Sequence, residues 1–102
     1  MTSSTAPETV TYSTDLEGTA LADLTALVER ALLDLGGPGS GHTIASLASD
    51  VASPARIGDL VTVSATVDRA TRTLLFARAD IRRESDQHLL LAAQAVLKAP
   101  IR

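Results

Sequence analysis

The sequence contains no cysteine. Disulfides, thiolate nucleophiles and cysteine metal sites are therefore excluded. Aromatic residues are almost as scarce, with Tyr12 and Phe76 as the whole complement. Single-stranded nucleic-acid surfaces rely on aromatic stacking platforms, which two rings cannot supply. A formal charge of −3 gives no general attraction to phosphate backbones or anionic lipid. No nucleic-acid or membrane partner is expected. No apolar run approaches the ~20 residues needed to cross a bilayer, and the N-terminus lacks a basic-then-apolar signal pattern. A cytoplasmic protein is the expectation. His42 and His88 stand alone without acidic residues at ligand spacing, so no metal is expected either.

What remains is aliphatic. Apolar residues make up 45% of the chain, too many for a disordered body. Its 102 residues suffice for one hydrophobic core and not for two. Residues 1–8 begin with Met-Thr-Ser-Ser-Thr-Ala-Pro and read as a flexible tail, leaving residues 9–102 as a single domain.

One stretch is convincingly helical, from Ala20 to Leu35. At 100° per residue, Ala20, Leu21, Leu24, Leu27, Val28, Ala31, Leu32 and Leu35 form a broad apolar stripe that a sheet can cover. Ala22, Ala26 and Leu33 lie on the far side with Glu29 among them. A carboxylate in a stripe of small residues suggests a second packed surface. Asp15 or Thr19 is the expected N-terminal cap, and Asp23 places negative charge in the first turns. Gly36 suits a left-handed C-terminal cap, and Pro38 forbids continuation.

The rest of the chain reads as strand. Glu8–Ser13 alternates and forms a first strand before the helix. His42–Val51 is rich in Ala and Ser, as a strand lying close to a helix or another subunit would be. Pro54 and the Gly58-Asp59 pair signal a turn. Leu60–Val67 alternates cleanly, with Val61, Val63, Ala65 and Val67 on one side and hydroxyl residues on the other. After a turn over Asp68–Arg72, Thr73–Arg82 points Leu75, Ala77, Ala79 and Ile81 inward. Arg83–Gln87 is a second hairpin loop. His88–Lys98 is apolar on both faces and fits an interior strand closed by Pro100. Helix propensity would also accept this stretch, but the two preceding hairpins favour strand. One helix cannot cover both faces of five strands. A homo-oligomer, a homodimer at least and a homotetramer as a larger closed form, is expected.

This order of elements resembles the hotdog-fold acyl-CoA thioesterases, of the phenylacetate and 4-hydroxybenzoyl-CoA types, from about Tyr12 to Pro100. Two segments carry the resemblance. Ala52-Ser53-Pro54-Ala55-Arg56-Ile57-Gly58-Asp59-Leu60-Val61-Thr62-Val63 is similar to the family's turn into its third strand. Ala26-Leu27-Val28-Glu29-Arg30-Ala31 is similar to the helix segment that holds the catalytic carboxylate. The resemblance implies an α+β hotdog fold, in which a curved antiparallel sheet of about five strands wraps one long central helix.

It also implies hydrolysis of an acyl-CoA or acyl-carrier thioester at a dimer interface, with Glu29 as general base. No cofactor is implied beyond the coenzyme A of the substrate. A backbone N–H near the helix start would polarise the carbonyl. The family's His-Gly-Gly falls on Ala20-Leu21-Ala22 here, and Gly18-Thr19 lies slightly upstream in its place. Relatives of the fluoroacetyl-CoA type use Thr, Glu and His. Thr19 and Glu29 match two of these, and Asp50 stands near the His position. CoA phosphates in the family meet basic residues, which points to Arg56, Arg82 and Arg83 as substrate-binding candidates. Loss of the His-Gly-Gly motivates an alternative: a non-catalytic hotdog protein that binds an acyl thioester or serves as an assembly subunit.

Overall fold

The computed structural model describes residues 9–37 and 39–100. The expected tail over residues 1–8, the expected strand start at Glu8 and the helix-terminating role of Pro38 lie outside them. The order is β1 (Thr9–Asp15), α1 (Leu21–Asp34), β2 (Thr43–Val51), β3 (Leu60–Ala70), β4 (Leu74–Arg83) and β5 (Leu89–Lys98). The strands make one antiparallel sheet in the order β1-β3-β4-β5-β2. The last stretch is a strand inside the sheet, as its apolar character predicts. β1 and β2 are the two edges.

Side-chain alternation sets the helix on one face. Val61, Val63 and Ala65 of β3, Ala77, Ala79 and Ile81 of β4, and Leu91, Ala93, Ala95 and Leu97 of β5 are buried with Leu24, Val28, Ala31, Leu32 and Leu35 of the helix segment. Ala65, Ala79 and Ala93 are register partners across three central strands. This row of methyl groups is a shallow trough in which the helix sits close to the sheet. A register shift between Ile81 and Arg82 opposite β5 turns both Leu90 and Leu91 into the core.

The outer face, which the sequence expectation gave to a partner, mixes polar and apolar groups. Thr62, Ser64, Thr66, Arg78, Asp80, Arg82 and Gln94 occupy it together with Phe76, Ala92 and Val96, and none of these is fully buried. Alternation has placed hydroxyl and charged groups there, and water can cover them.

Both ends of the helix depart from the sequence expectation. β1 runs to Asp15, which pairs with Leu60, so Asp15 cannot cap α1. The N-cap is Ala20 rather than Thr19, and no side-chain oxygen caps it. Instead the Asp23 carboxylate reaches back and accepts the Ala20 N–H at 3.2 Å. Gly18 lies so close to that carboxylate that a β-carbon there would collide with it. At the other end Gly37, not Gly36, takes the left-handed conformation, with φ of 89°. Gly36 is instead a close-approach glycine, packed against Ser40 and His42. β3 continues to Ala70, past the expected turn at Asp68, because its register shifts by a residue between Val67 and Arg69.

Candidate active site

The direction of Glu29 can be read from the contacts on the opposite flank of its helix. Tyr12 of β1 donates its phenolic hydrogen bond to the Leu27 carbonyl at 2.6 Å. The Arg30 guanidinium lies over the Tyr12 ring, 4.3 Å from its centroid. Positions 27 and 30 therefore face the β1 edge. Glu29 projects about 160° round the helix from Leu27 and so faces the β2 edge. Leu21, Thr25 and Glu29 make a ridge at four-residue spacing along this flank. The helix begins at the end of the sheet where β2 finishes, since Leu16 exchanges hydrogen bonds with Gly58 and Asp59 of the β2–β3 connection. The helix-side positions of β2 are Leu47, Ser49 and Val51, the register partners of core residues Ala95, Ala93 and Leu91.

Glu29 is exposed and has no ion pair or side-chain hydrogen bond among the described residues. Ala22, seven residues earlier, lies on the same face. The N–H groups of Leu21 and Ala22 have no acceptor among the described residues, as expected for a first helical turn. Thr19 is exposed just ahead of them. One helix thus carries a carboxylate and, about two turns earlier at its start, two free N–H donors, beside an edge strand with unpaired backbone groups. Ala26 and Leu33 on the helix's outward side are exposed too.

The other candidates gather elsewhere. Asp50 pairs with Ala92 on the outer face of the sheet, so within one chain the sheet separates it from Glu29. It shares a shallow groove of about 400 Å³ with Arg78, Asp80 and Arg82. Arg82 donates to the Gln87 carbonyl at 3.2 Å and lies 3.8 Å from Asp80. Arg83, the next residue, points the other way. It binds Asp86 at 3.0 Å, Asp59 at 3.4 Å and the Pro54 carbonyl at 3.2 Å. These contacts tie the β2–β3 connection to the β4–β5 turn. The bond to Asp86 is the main reason that the Arg83 pKa is raised. Arg56 lines the same end groove as Arg83, and its side chain has no partner among the described residues.

Sequence reading missed two things. The ridge through Leu21 and Thr25 was visible as four-residue spacing back from Glu29. The anchoring role of Arg83 had no signal, because Asp59, Pro54 and Asp86 converge on it only through the fold. Among the described residues no group of His, Asp and Glu is placed to hold a metal ion. Among the described residues no helix is long and apolar enough to cross a membrane.

One helix on a five-stranded antiparallel sheet in this strand order is the hotdog fold, and known structures share it. Thioesterase superfamily member 2 from zebrafish superposes with a TM-score of 0.81 at 20% identity, over 95% of this chain and 78% of that one. The protein smu.793 from Streptococcus mutans, solved bound to acetyl CoA, gives 0.85 at 10% identity, over 96% and 86%. The PaaI protein of the E. coli phenylacetic acid degradation operon gives 0.78 at 15% identity, over 91% and 72%. No curated protein sequence matches the chain. The family model described as "Thioesterase superfamily" matches residues 19–89, most of the chain. The protein belongs to the thioesterase superfamily.

Proposed function

We propose that this protein hydrolyses acyl thioesters of coenzyme A or a carrier protein, with Glu29 as general base at a homodimer interface. The observation that carries the reading is the placement of Glu29, unpartnered on the helix flank that faces the free β2 edge of a thioesterase-superfamily fold. A second copy pairing through β2 would complete the hydrogen bonds of that edge and cover the flank. Covering matters chemically, because a carboxylate works as a base best where bulk water is excluded. The acetyl CoA in the Streptococcus mutans relative supports a thioester of coenzyme A as the substrate.

In this reading Glu29 takes a proton from a water molecule whose oxygen adds to the thioester carbonyl carbon. The carbonyl oxygen gains negative charge, which free N–H groups at a helix start, those of Leu21 and Ala22, can stabilise with the helix dipole. The tetrahedral adduct then expels the thiolate as the C–S bond breaks, and the thiolate receives the proton held by Glu29. The products are a carboxylic acid and a free thiol, and no further reactant is required. Thr19, exposed just ahead of the helix start, is the hydroxyl that would assist there in this reading. Arg56, with its free guanidinium, is a better phosphate contact than Arg83, whose donors are occupied.

The test is turnover of a panel of acyl-CoA esters, with released thiol followed by a thiol reagent. Equal turnover by wild type and Glu29→Ala would refute the role of Glu29. A non-catalytic acyl-binding protein is the second reading, favoured by Ala20-Leu21-Ala22 in place of His-Gly-Gly. Saturable acyl-CoA binding without hydrolysis across the panel would establish it.

A further inference from the structure

The flank that carries Glu29 has an unusual combination of exposed and missing side chains. Leu21 and Val51 are 53% and 57% exposed, two of the few large apolar side chains left open to solvent. Leu21 stands two turns before Glu29 on the same ridge, and Val51 is the last helix-side position of β2. Both aromatic rings of the chain are committed elsewhere. Tyr12 lies under the opposite helix flank, bonded to Leu27 and covered by Arg30. Phe76 pairs with Val96 on the outer face, under Arg69.

Among the described residues, cations are missing from this flank as well. The segment Thr43–Val51 contains no Lys or Arg, and Arg30 is turned toward Tyr12. A second copy related by a two-fold axis through β2 brings the same strand and helix flank, so pairing adds more leucine and valine there.

We propose that the acyl group accepted beside Glu29 is uncharged and aliphatic, held by Leu21 and Val51. The proposal rests on the thioester reading of Glu29 and deepens it by naming the acyl class. An aryl group would find no ring to stack on or meet edge to face, which is where aromatic recognition gains beyond simple burial. A terminal carboxylate would meet the Glu29 charge with no cation to offset it. A growing alkyl chain instead gains roughly fourfold in affinity with each methylene buried.

The experiment measures binding of non-hydrolysable S-alkyl coenzyme A thioethers from propyl to octyl, beside S-benzyl and S-(4-carboxybutyl) coenzyme A. Affinity is expected to rise about three- to fourfold per methylene before levelling off. S-benzyl coenzyme A is expected to bind at least tenfold more weakly than the S-heptyl compound of equal carbon count. The double variant Leu21→Ala, Val51→Ala should flatten the chain-length series while keeping the far-UV circular dichroism of the wild type. A flat series in the wild type, binding of the benzyl or carboxybutyl compound equal to its alkyl counterpart, or no binding of any compound overturns the proposal. A steep alkyl series with no hydrolysis of the corresponding esters refutes the hydrolase reading alone and leaves the acyl class standing.

Discussion

The phenolic hydroxyl of Tyr12 is hydrogen-bonded to the carbonyl oxygen of Leu27 at 2.6 Å, and this contact joins the β1 edge to the helix flank whose rotation over the sheet the buried stripe of Leu24, Val28, Ala31 and Leu32 sets. With Leu27 pinned toward β1, Glu29 turns to the β2 side.

Tyr12→Phe removes the bond while keeping the ring under Arg30. Loss of one hydrogen bond is expected to cost about 1 kcal/mol in urea unfolding. The pH dependence provides a second signature. Burial raises the Tyr12 pKa above 10.0, Arg30 opposes that shift, and Asp34 adds to it. The unfolded chain then gives up the phenolic proton first. The Tyr12 contribution is complete below pH 10.0 and fades as pH rises through the folded value. The Phe variant should lose this part of the alkaline decline. Parallel alkaline profiles for the two proteins would contradict the assignment.

Glu29 and Asp50 are separated by the sheet, and their variants should separate too. Glu29→Gln is expected to lower kcat on a good acyl-CoA substrate by about 100-fold or more, the usual scale for removing a general base. Asp50→Asn should change kcat by less than about threefold, because its carboxylate faces outward beside Asp80 and Arg82. Unchanged circular dichroism would show that both variants fold. A large loss in Asp50→Asn with little loss in Glu29→Gln would reverse the assignment.

At the loop end of the sheet, Asp86 accepts the His88 N–H at 3.0 Å and the Arg83 guanidinium at 3.0 Å. The His88 hydrogen bond is the larger cause holding its pKa below 3.8, and Arg83 contributes next among the lowering effects. A depressed carboxyl pKa stabilises the fold above the unfolded value and loses that contribution as pH falls through the folded value. Asp86→Asn is therefore expected to melt lower than wild type at pH 7, with the gap closing below about pH 3.8. A gap that persists undiminished in acid would show that Asp86 acts through something other than its charge.

Most of the fold was legible because it depends on short-range periodicity. The alternation of Val61, Val63 and Ala65 survives as the buried face of β3, and the stripe through Leu24, Val28 and Leu32 survives as the helix core. The helix ends were less legible, since their solutions are local but not unique. Asp23 satisfied the Ala20 N–H from inside the helix, a role that sequence gave to residues before it. Gly36 and Gly37 both had the conformational freedom for the left-handed position, and close packing of Gly36 against His42 accompanies the choice of Gly37. The candidate site was legible only residue by residue. Arg82 and Arg83 looked equivalent as neighbours in a basic turn, yet strand alternation sends one to the outer face and the other into a three-way anchor. Asp50 stood near a catalytic position in sequence, and only the pairing register shows that it faces away.

The β2 edge supports the last prediction. Eight of its nine residues pair with β5 on one side, Ala45 being skipped at a register shift, and on the other side the strand leaves alternate N–H and C=O groups without a partner among the described residues. Edge strands that stay single are usually blunted by lysine, proline or a short length. Thr-Ile-Ala-Ser-Leu-Ala-Ser-Asp-Val has one charge, no proline and small side chains. β1, the other edge, ends in Asp15 and has Arg30 and Tyr12 over its inner side, so it is less open to pairing. Antiparallel pairing of two β2 strands about a two-fold axis would join the sheets and bring the Glu29 flanks of the two helices together. Light scattering at micromolar concentration should give twice the chain mass. Hydrogen exchange should show β2 amides protected at that concentration and progressively exposed on dilution, with β1 amides indifferent to dilution. A monomeric mass at micromolar concentration, or dilution-sensitive protection confined to β1, would place the contact elsewhere and remove the cover proposed for Glu29.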